Sequence, residues 1–204
     1  MKAVQVSRFG GPEVLEVVDL PIPEPNPDEV LLRHTAIGLN FIDTYHRSGL
    51  YPQPLPFIPG SEGAGVVEAV GDGVDHLQPG DRVAYAWGPV GAYAQYRTIA
   101  ADRVVKLPDE LDERTAAASL LKACTVEYLV NRTHAVQPGE TVLWHAAAGG
   151  VGLLAVQWLK SIGATVIGTA GSPEKAELAR AHGCDHVILY REENVADRVR
   201  EITG

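Results

Sequence analysis

The sequence is poor in cysteine and in cationic side chains. Only two of its 204 residues are cysteines, Cys124 and Cys184, and they form neither a CxxC pair nor a metal-ligand spacing. We therefore expect reduced thiols, a cytoplasmic location and no bound metal. The 17 Lys and Arg residues are outnumbered by 26 Asp and Glu residues, for a formal net charge of −9. Nucleic-acid binding usually needs a basic surface, so we expect no nucleic-acid partner.

Long apolar runs are also missing. No stretch approaches the ~20 consecutive apolar residues that a membrane-spanning helix needs, so we expect no membrane partner. The composition is nevertheless that of a folded protein, since 46% of the residues are hydrophobic and 21% are charged. This balance excludes a disordered chain, and the length permits one large domain or two small ones.

Glycine and proline are dense before about residue 92, where they separate short runs of strand-forming residues. Pro occupies every second position of 21–27, which excludes a central strand there and indicates an extended loop. A series of short strands divided by turns predicts a small, mostly antiparallel barrel or sandwich. The predicted strands are 2–7, 14–20, 29–39, 62–70, 82–86, 92–99 and 104–107.

The pattern changes at about residue 110, where helices enter. Two helices are predicted first, at 112–119 and 123–135. After them, short apolar strands alternate with helices, which is typical of a parallel sheet. The predicted order is strand 141–145, helix 151–162, strand 164–169, helix 173–182, strand 186–190 and helix 195–202.

A glycine-rich turn, AAAGGVG at 146–152, joins the first of these strands to its helix. At Gly149 the missing side chain lets the backbone approach a pyrophosphate, and at Gly152 it lets the helix pack closely on the strand. The helix then directs its free N–H groups toward the phosphates. A glycine run alone is weak evidence, but the strand before it and the helix after it predict dinucleotide binding.

The end of the second strand indicates which dinucleotide binds. NAD sites usually carry Asp or Glu about 20 residues after the glycines, to hold the ribose 2′-hydroxyl. Here the segment 168–172 reads GTAGS, without an acid, and Lys175 follows. Space, a hydroxyl and a cation suit a 2′-phosphate, so we favour NADP(H). The alternative is that Lys175 is only a solvated helix residue, and the neighbouring Glu174 weakens the NADP(H) interpretation.

Together these residues resemble the NADPH:quinone oxidoreductases, the zeta-crystallin-like branch of the zinc-independent medium-chain dehydrogenase/reductase superfamily. The resemblance covers the whole chain. It implies an α/β fold with a GroES-like, mostly β substrate domain at 1–122 and the first half of a Rossmann domain at 123–204. Its most specific motifs are GLNFIDTYHRSGLYP at 38–52, PGSEGAGVVEAVG at 59–71, GDRVAY at 80–85, HAAAGGVG at 145–152 and YREE at 190–193.

The resemblance also implies roles for single residues. Asn40 and Tyr45 match the segment facing the nicotinamide and the quinone, and Tyr51 matches a residue at the mouth of that cleft. Thr125 matches a helix residue near the nicotinamide end. For the two tyrosines, ordinary packing is an equally good interpretation. The other matching positions are Gly149, Gly150 and Val151 at the pyrophosphate, and Gly171, Ser172, Lys175 and Tyr190 around the adenosine ribose and its 2′-phosphate.

Zinc-dependent relatives differ at positions that matter. They carry a catalytic cysteine where Asn40 stands, a histidine where Ser61 stands, and a four-cysteine lobe that two cysteines cannot supply. The resemblance therefore implies zinc-independent chemistry. We expect NADPH to carry the difficult chemistry, with no protein nucleophile or base, and His145 to belong to the turn scaffold.

The implied activity is NADPH-dependent reduction of quinones. Two alternatives stay open, namely an NADPH-dependent reductase of enone or alkenal C=C bonds and a non-catalytic, crystallin-like NADPH-binding protein. A complete dinucleotide fold has two halves, and the sequence after the glycine turn supplies one. We therefore expect the chain to be a truncated form of a longer parent, which would be a homodimer.

Overall fold

The structure is a computed structural model that describes residues 1–204. The chain divides into two compact units, Met1–Leu121 and Lys122–Gly204. Each unit contains its own apolar core.

The first unit is built on antiparallel strands. A two-stranded hairpin, β1–β2, accompanies a five-stranded sheet in the order β6-β3-β4-β5-β7. The predicted antiparallel, mostly β architecture is therefore confirmed. The strands are β1 (Lys2–Val6), β2 (Leu15–Asp19), β3 (Glu29–Ile37), β4 (Glu62–Val70), β5 (Arg82–Ala86), β6 (Tyr96–Ala100) and β7 (Val105–Lys106).

The core of the first unit follows from the alternation of side chains along these strands. Val30 and Leu32 of β3 are fully buried, and Val67 of β4 and Val83 of β5 pack in the same cluster. Burying side chains of this size contributes roughly 1.5–3 kcal/mol each. The core thereby fixes β4, whose first residue is Glu62.

One helix of the first unit was not predicted, and one strand begins four residues later than predicted. Helix α1 (Phe41–Ser48) begins where the Asp43 carboxylate accepts the Asn40 amide at 3.0 Å, and it ends at Gly49, whose φ is 82°. Asn at a helix start with an acid three residues later is a start signal that could have located α1. The strand expected at 92–99 begins only at Tyr96, because the Tyr93 amide donates to the Pro59 carbonyl instead.

The two helices expected at 112–119 and 123–135 are not separate. The structure has one helix, α2 (Glu113–Glu127), followed directly by a π-helical turn, Tyr128–Thr133. Residues 120–122, Leu-Leu-Lys, are good helix formers, so nothing in the sequence interrupts α2 there.

The second unit is a three-stranded parallel sheet with helices between its strands, as predicted. The strand order is β10-β9-β8, so β9 is central and β8 pairs only with β9. Val156 and Leu159 of α3 are fully buried in the core beside Val166 of β9. The elements are β8 (Thr141–Trp144), α3 (Gly150–Ile162), β9 (Thr165–Ala170), α4 (Pro173–Ala181), β10 (His186–Leu189) and α5 (Val195–Thr203).

The helices are too short or too polar to cross a bilayer; none of them qualifies as a membrane span.

Candidate active site

The glycine turn between β8 and α3 is shaped by close backbone approaches. A Cβ atom on Gly152 would lie 2.3 Å from the Ala146 carbonyl oxygen, so only glycine fits there. The Gly149 amide donates to the same carbonyl at 2.8 Å, and Gly149 is the extended N-cap of α3. The backbone of the turn is therefore tightly packed where α3 begins. The N–H groups of the first helical turn lack acceptors within the helix.

Thr169, at the end of β9, supports this turn from behind. Its Oγ1 accepts the Ala146 amide at 3.2 Å and lies 3.2 Å from His145 Nδ1, while its carbonyl accepts the Ala147 amide at 3.0 Å. Thr169 is 2% exposed, and Ala146 has a φ of 52°, in the left-handed region. In the sequence, the only signal for this role of Thr169 is a hydroxyl near the end of the neighbouring strand.

Lys122 is a second residue near the turn that no sequence motif marks. Its Cε lies 3.0 Å from the position that a Cβ atom on Gly150 would occupy. The Lys122 side chain therefore packs over the first residue of α3, at the helix end where the macrodipole favours anions. Val151 follows Gly150 in that first turn and is partly buried.

A small cavity of about 110 Å³ lies beside the turn. It brings together three residues predicted from the end of β9 onward, Gly171, Lys175 and Tyr190, with Gly149 of the turn. No Asp or Glu is among the residues around it. Its lining is Ala146, Ala148, Gly149, Thr169, Ala170, Gly171, Lys175 and Tyr190.

Ser172 begins helix α4 next to this cavity. Its side-chain oxygen accepts the Lys175 amide at 3.4 Å, and Pro173 occupies the first helical position. A hydrogen bond from the Ser172 hydroxyl holds the pKa of Glu174 below its ordinary value.

Asn40 of the first unit is held by a buried acid. Its Nδ2 donates to Glu62 Oε2 at 2.7 Å, and the Leu121 amide donates to Glu62 Oε1 at 2.7 Å. Asn40 is 8% exposed and Glu62 is fully buried. No hydrophobic pattern indicates that an acid in the segment EGAGVVEAV is buried, so the role of Glu62 could not be predicted from the sequence.

An aromatic group extends from the same helix. The rings of Phe41 and Tyr45 pack edge to face with centroids 5.3 Å apart, and Tyr45 packs in the same way on Tyr51 at 5.4 Å. Tyr51 is half exposed, and Leu39 and Phe41 are largely exposed. Asn40, Tyr45 and Tyr51 thus lie together on one segment with an accessible apolar surface, whereas Thr125 and the remaining predicted residues belong to the second unit.

A cavity of about 410 Å³ adjoins Asn40 and Phe41 and also contacts Asp43, Arg47 and Tyr93. The Tyr93 hydroxyl donates to Asp43 Oδ2 at 2.9 Å. Burial, and then the Asp43 carboxylate, hold the pKa of Tyr93 far above its ordinary value, so this phenol stays a hydrogen-bond donor.

His34 is partly buried, and each of its ring nitrogens faces a polar group. One ring nitrogen lies 2.7 Å from the Ala94 carbonyl oxygen and the other 2.7 Å from the Tyr85 hydroxyl. Burial lowers the pKa of His34 to about 4. No group of three or more His, Cys, Asp or Glu side chains is arranged to hold a metal ion.

Comparisons with known proteins give the family. Residues 26–109 match the alcohol dehydrogenase GroES-like domain, and residues 150–204 match the family described as zinc-binding dehydrogenase. A quinone oxidoreductase of Pseudomonas aeruginosa is 57% identical over 203 residues, 99% of this chain and 62% of its own length. The chain thus spans less than two thirds of that relative.

Solved structures of the same superfamily have the same fold as this chain. The Escherichia coli quinone oxidoreductase in complex with NADPH is 48% identical, with a TM-score of 0.98 over all of this chain and 63% of that one. An NAD-dependent alcohol dehydrogenase is 38% identical, with a TM-score of 0.91 over all of this chain and 68% of that one. The chain therefore belongs to the quinone oxidoreductase family of the medium-chain dehydrogenase/reductase superfamily.

Proposed function

We propose that this chain carries the cofactor-binding and substrate-facing residues of an NADPH-dependent quinone reductase. One observation carries the proposal, namely the cavity behind the glycine turn, which holds Lys175 and Tyr190 and no carboxylate. An acid there would bind a ribose hydroxyl and repel a 2′-phosphate, whereas a cation attracts the phosphate. Support comes from relatives named quinone oxidoreductase, one of them solved with NADPH.

The second unit would hold the cofactor. The tight turn that only glycine permits at Gly152 fits a pyrophosphate, since it brings bare backbone and the start of α3 to one place. In this proposal 123–204 is the NADP(H)-binding part and Thr125 lies near the nicotinamide end. Gly149, Gly150 and Val151 contact the pyrophosphate, and Gly171, Ser172, Lys175 and Tyr190 surround the adenosine ribose and its 2′-phosphate.

The first unit, with 1–122 as the substrate domain, would face the reacting groups. NADPH, when bound, supplies the hydride. Asn40 offers an amide donor and acceptor, and Tyr45 and Tyr51 offer flat apolar faces with polar tips, which suit a quinone ring. The chain's task is to position the quinone and exclude water, because the reduced quinone can take its protons from solvent.

Zinc independence is part of the proposal. Asn40 and Ser61 occupy the positions where zinc-dependent relatives carry ligands, and the Asn40 amide is already bonded to Glu62. A cytoplasmic location and a homodimer of the whole protein complete the proposal.

The test is a titration of the 204-residue chain with NADPH, followed by tryptophan and NADPH fluorescence, with NADH as the control. We expect saturable binding of NADPH that is much tighter than that of NADH. Equal affinities, or tighter binding of NADH, would contradict the cofactor assignment. The control matters because one similar protein is named an NAD-dependent alcohol dehydrogenase. Absence of binding would contradict the proposal for this chain.

Turnover assays then separate the substrate classes. Oxidation of NADPH with 1,4-benzoquinone, and none with 2-alkenals, is the expected result. Turnover of 2-alkenals without quinones would replace the proposal by C=C reduction. NADPH binding with neither turnover would favour the non-catalytic alternative.

A further inference from the structure

Glu62 is a fully buried carboxylate whose two oxygens each accept a short hydrogen bond. One bond comes from the Asn40 side chain and the other from the Leu121 backbone amide. A buried charge is costly unless it is hydrogen-bonded, and bonds of 2.7 Å to a carboxylate belong to the strong, charge-assisted kind. The position of this carboxylate is therefore strongly determined.

The backbone around Glu62 leaves the carboxylate no freedom to move away. Gly38 donates its amide to the Glu62 carbonyl at 3.0 Å. A Cβ atom on Gly38 would lie 2.3 Å from Glu62 Oε2 and 2.4 Å from the Ala117 carbonyl oxygen. The chain thus passes directly against the carboxylate, which only glycine allows.

This arrangement fixes which end of the Asn40 amide faces Glu62. A carboxylate accepts hydrogen bonds and donates none, so the amide group that contacts it is the NH₂ group. The Asn40 oxygen is then turned away from Glu62. The Leu121 amide donates to the other carboxylate oxygen, and because both oxygens of a carboxylate only accept, Asn40 faces an acceptor whichever oxygen it contacts.

We infer that Glu62 is a positioning residue that sets the polarity of Asn40, so that Asn40 offers an acceptor oxygen to the nicotinamide end of the cofactor. The natural donor there is the carboxamide NH₂ group of the nicotinamide, which cannot accept a hydrogen bond. This inference rests on the proposed function, in which Asn40 contacts that end of NADPH.

Replacing Glu62 by glutamine tests the inference because it preserves shape and reverses one bond. In Glu62→Gln the new amide oxygen must accept the Leu121 amide, so the new NH₂ group faces Asn40. Asn40 then has to turn its oxygen inward and its NH₂ group toward the cofactor, where two donors meet. We expect the Kd for NADPH to rise about tenfold, the cost of one mispaired hydrogen bond.

A probe without the nicotinamide distinguishes positioning from general damage. The nucleotide 2′,5′-ADP carries the ribose and 2′-phosphate but no nicotinamide, so its Kd should not change in Glu62→Gln. Equal weakening of both probes would show that Glu62 only supports the fold, and would overturn the inference. The matched control is Glu68→Gln on the same strand, where the acid is exposed and paired with Arg33.

A second substitution should restore the original polarity. In Asn40→Asp the new carboxylate faces Glu62, and two like charges oppose each other, so NADPH binding should weaken. In the double variant Asn40→Asp/Glu62→Gln, the glutamine NH₂ group can donate to the aspartate, which then presents its second oxygen as an acceptor. We expect the double variant to recover most of the affinity for NADPH that either single change loses.

The outcomes separate the inference from the proposal on which it rests. If the unmodified chain binds no NADPH, the proposed function and the inference both fall. If it binds NADPH but Glu62→Gln binds it equally well, only the inference falls. If Glu62→Gln does not fold, the double variant Asn40→Asp/Glu62→Gln provides the test. The inference is overturned if that variant binds 2′,5′-ADP but not NADPH.

Discussion

The phenol oxygen of Tyr190 lies 2.6 Å from the position that a Cβ atom on Gly171 would occupy. Gly171 therefore lets the Tyr190 ring close one side of the small cavity beside the glycine turn. Because Tyr190 is half exposed, its ring can swing outward if a methyl group is added, and the fold should survive. The contact should thus matter for ligand binding more than for stability.

For Gly171→Ala we expect weaker NADPH binding with an almost unchanged free energy of unfolding. Fluorescence titration and urea unfolding measure the two quantities. Removing the hydroxyl in Gly171→Ala/Tyr190→Phe should return part of the affinity, because the closest contact disappears. If Gly171→Ala binds NADPH as tightly as the unmodified chain, the side of the cavity formed by Gly171 and Tyr190 does not contact the cofactor.

Lys175 should determine the preference for the phosphorylated cofactor. It lines a cavity that has no carboxylate in its lining, so its charge is available to a 2′-phosphate. For Lys175→Met we expect the Kd for NADPH to rise roughly ten- to hundredfold, the usual worth of a charge-assisted hydrogen bond, while NADH binding stays the same. Arg200→Met, which removes an exposed cation of α5, is the control and should leave both affinities unchanged. Equal losses for the two cofactors would contradict a role in reading the phosphate.

Glu174 should act in the opposite sense. The Ser172 hydroxyl, which the proposal places near the 2′-phosphate, holds the pKa of the Glu174 carboxyl below its ordinary value. Glu174→Gln removes a negative charge that would repel the phosphate. Since exposed charges interact weakly, NADPH should bind only a few-fold tighter, roughly two- to fivefold, and the gain should shrink in high salt. Unchanged affinity at low salt would place Ser172 and Glu174 away from the cofactor.

The sequence predicted the elements whose signals are local. Strands β4 and β5 were predicted to the residue because alternation and the Pro79-Gly80 turn mark their bounds, and the alternation of strands with helices after residue 140 predicted the parallel sheet. Helix α1 was missed because its few apolar residues look like loop, although Asn40 and Asp43 carry its start signal. The roles of Glu62 and Thr169 could not be predicted, since their partners lie far away in the sequence and are brought near only by pairing of the strands.

Thr169 gives a prediction that joins stability to binding. Its hydroxyl is buried and receives the Ala146 amide, so Thr169→Val keeps the shape and leaves that amide without its acceptor. We expect a loss of about 1–3 kcal/mol in the free energy of unfolding, together with weaker NADPH binding, because the turn is no longer held. Urea unfolding and the NADPH titration are the measurements. Thr165→Val, on the same strand but only partly buried, is the matched control. An equal loss of stability and of NADPH affinity in both variants would show that the Thr169 hydroxyl does not specifically support the turn.

The lowered pKa of His34 predicts how the free energy of unfolding depends on pH. Burial lowers the pKa of His34 to about 4, below the ordinary value of 6.5, so between these values the unfolded chain binds a proton that the folded chain does not. The contribution of neutral His34 is complete above pH 6.5 and is lost as the pH falls toward 4, with a slope of up to about 1.4 kcal/mol per pH unit.

Urea unfolding of the unmodified chain and of His34→Gln at pH 7, 5.5 and 4.5 tests this pH dependence. At pH 7 the variant should be the less stable one, since its bonds to Ala94 and Tyr85 are altered, and this difference should shrink as the pH falls. His182→Gln, which removes an exposed imidazole, is the control for loss of a histidine as such. A stability difference between His34→Gln and the unmodified chain that is constant over this range would mean that the folded protein accepts a proton on His34 as readily as the unfolded chain does.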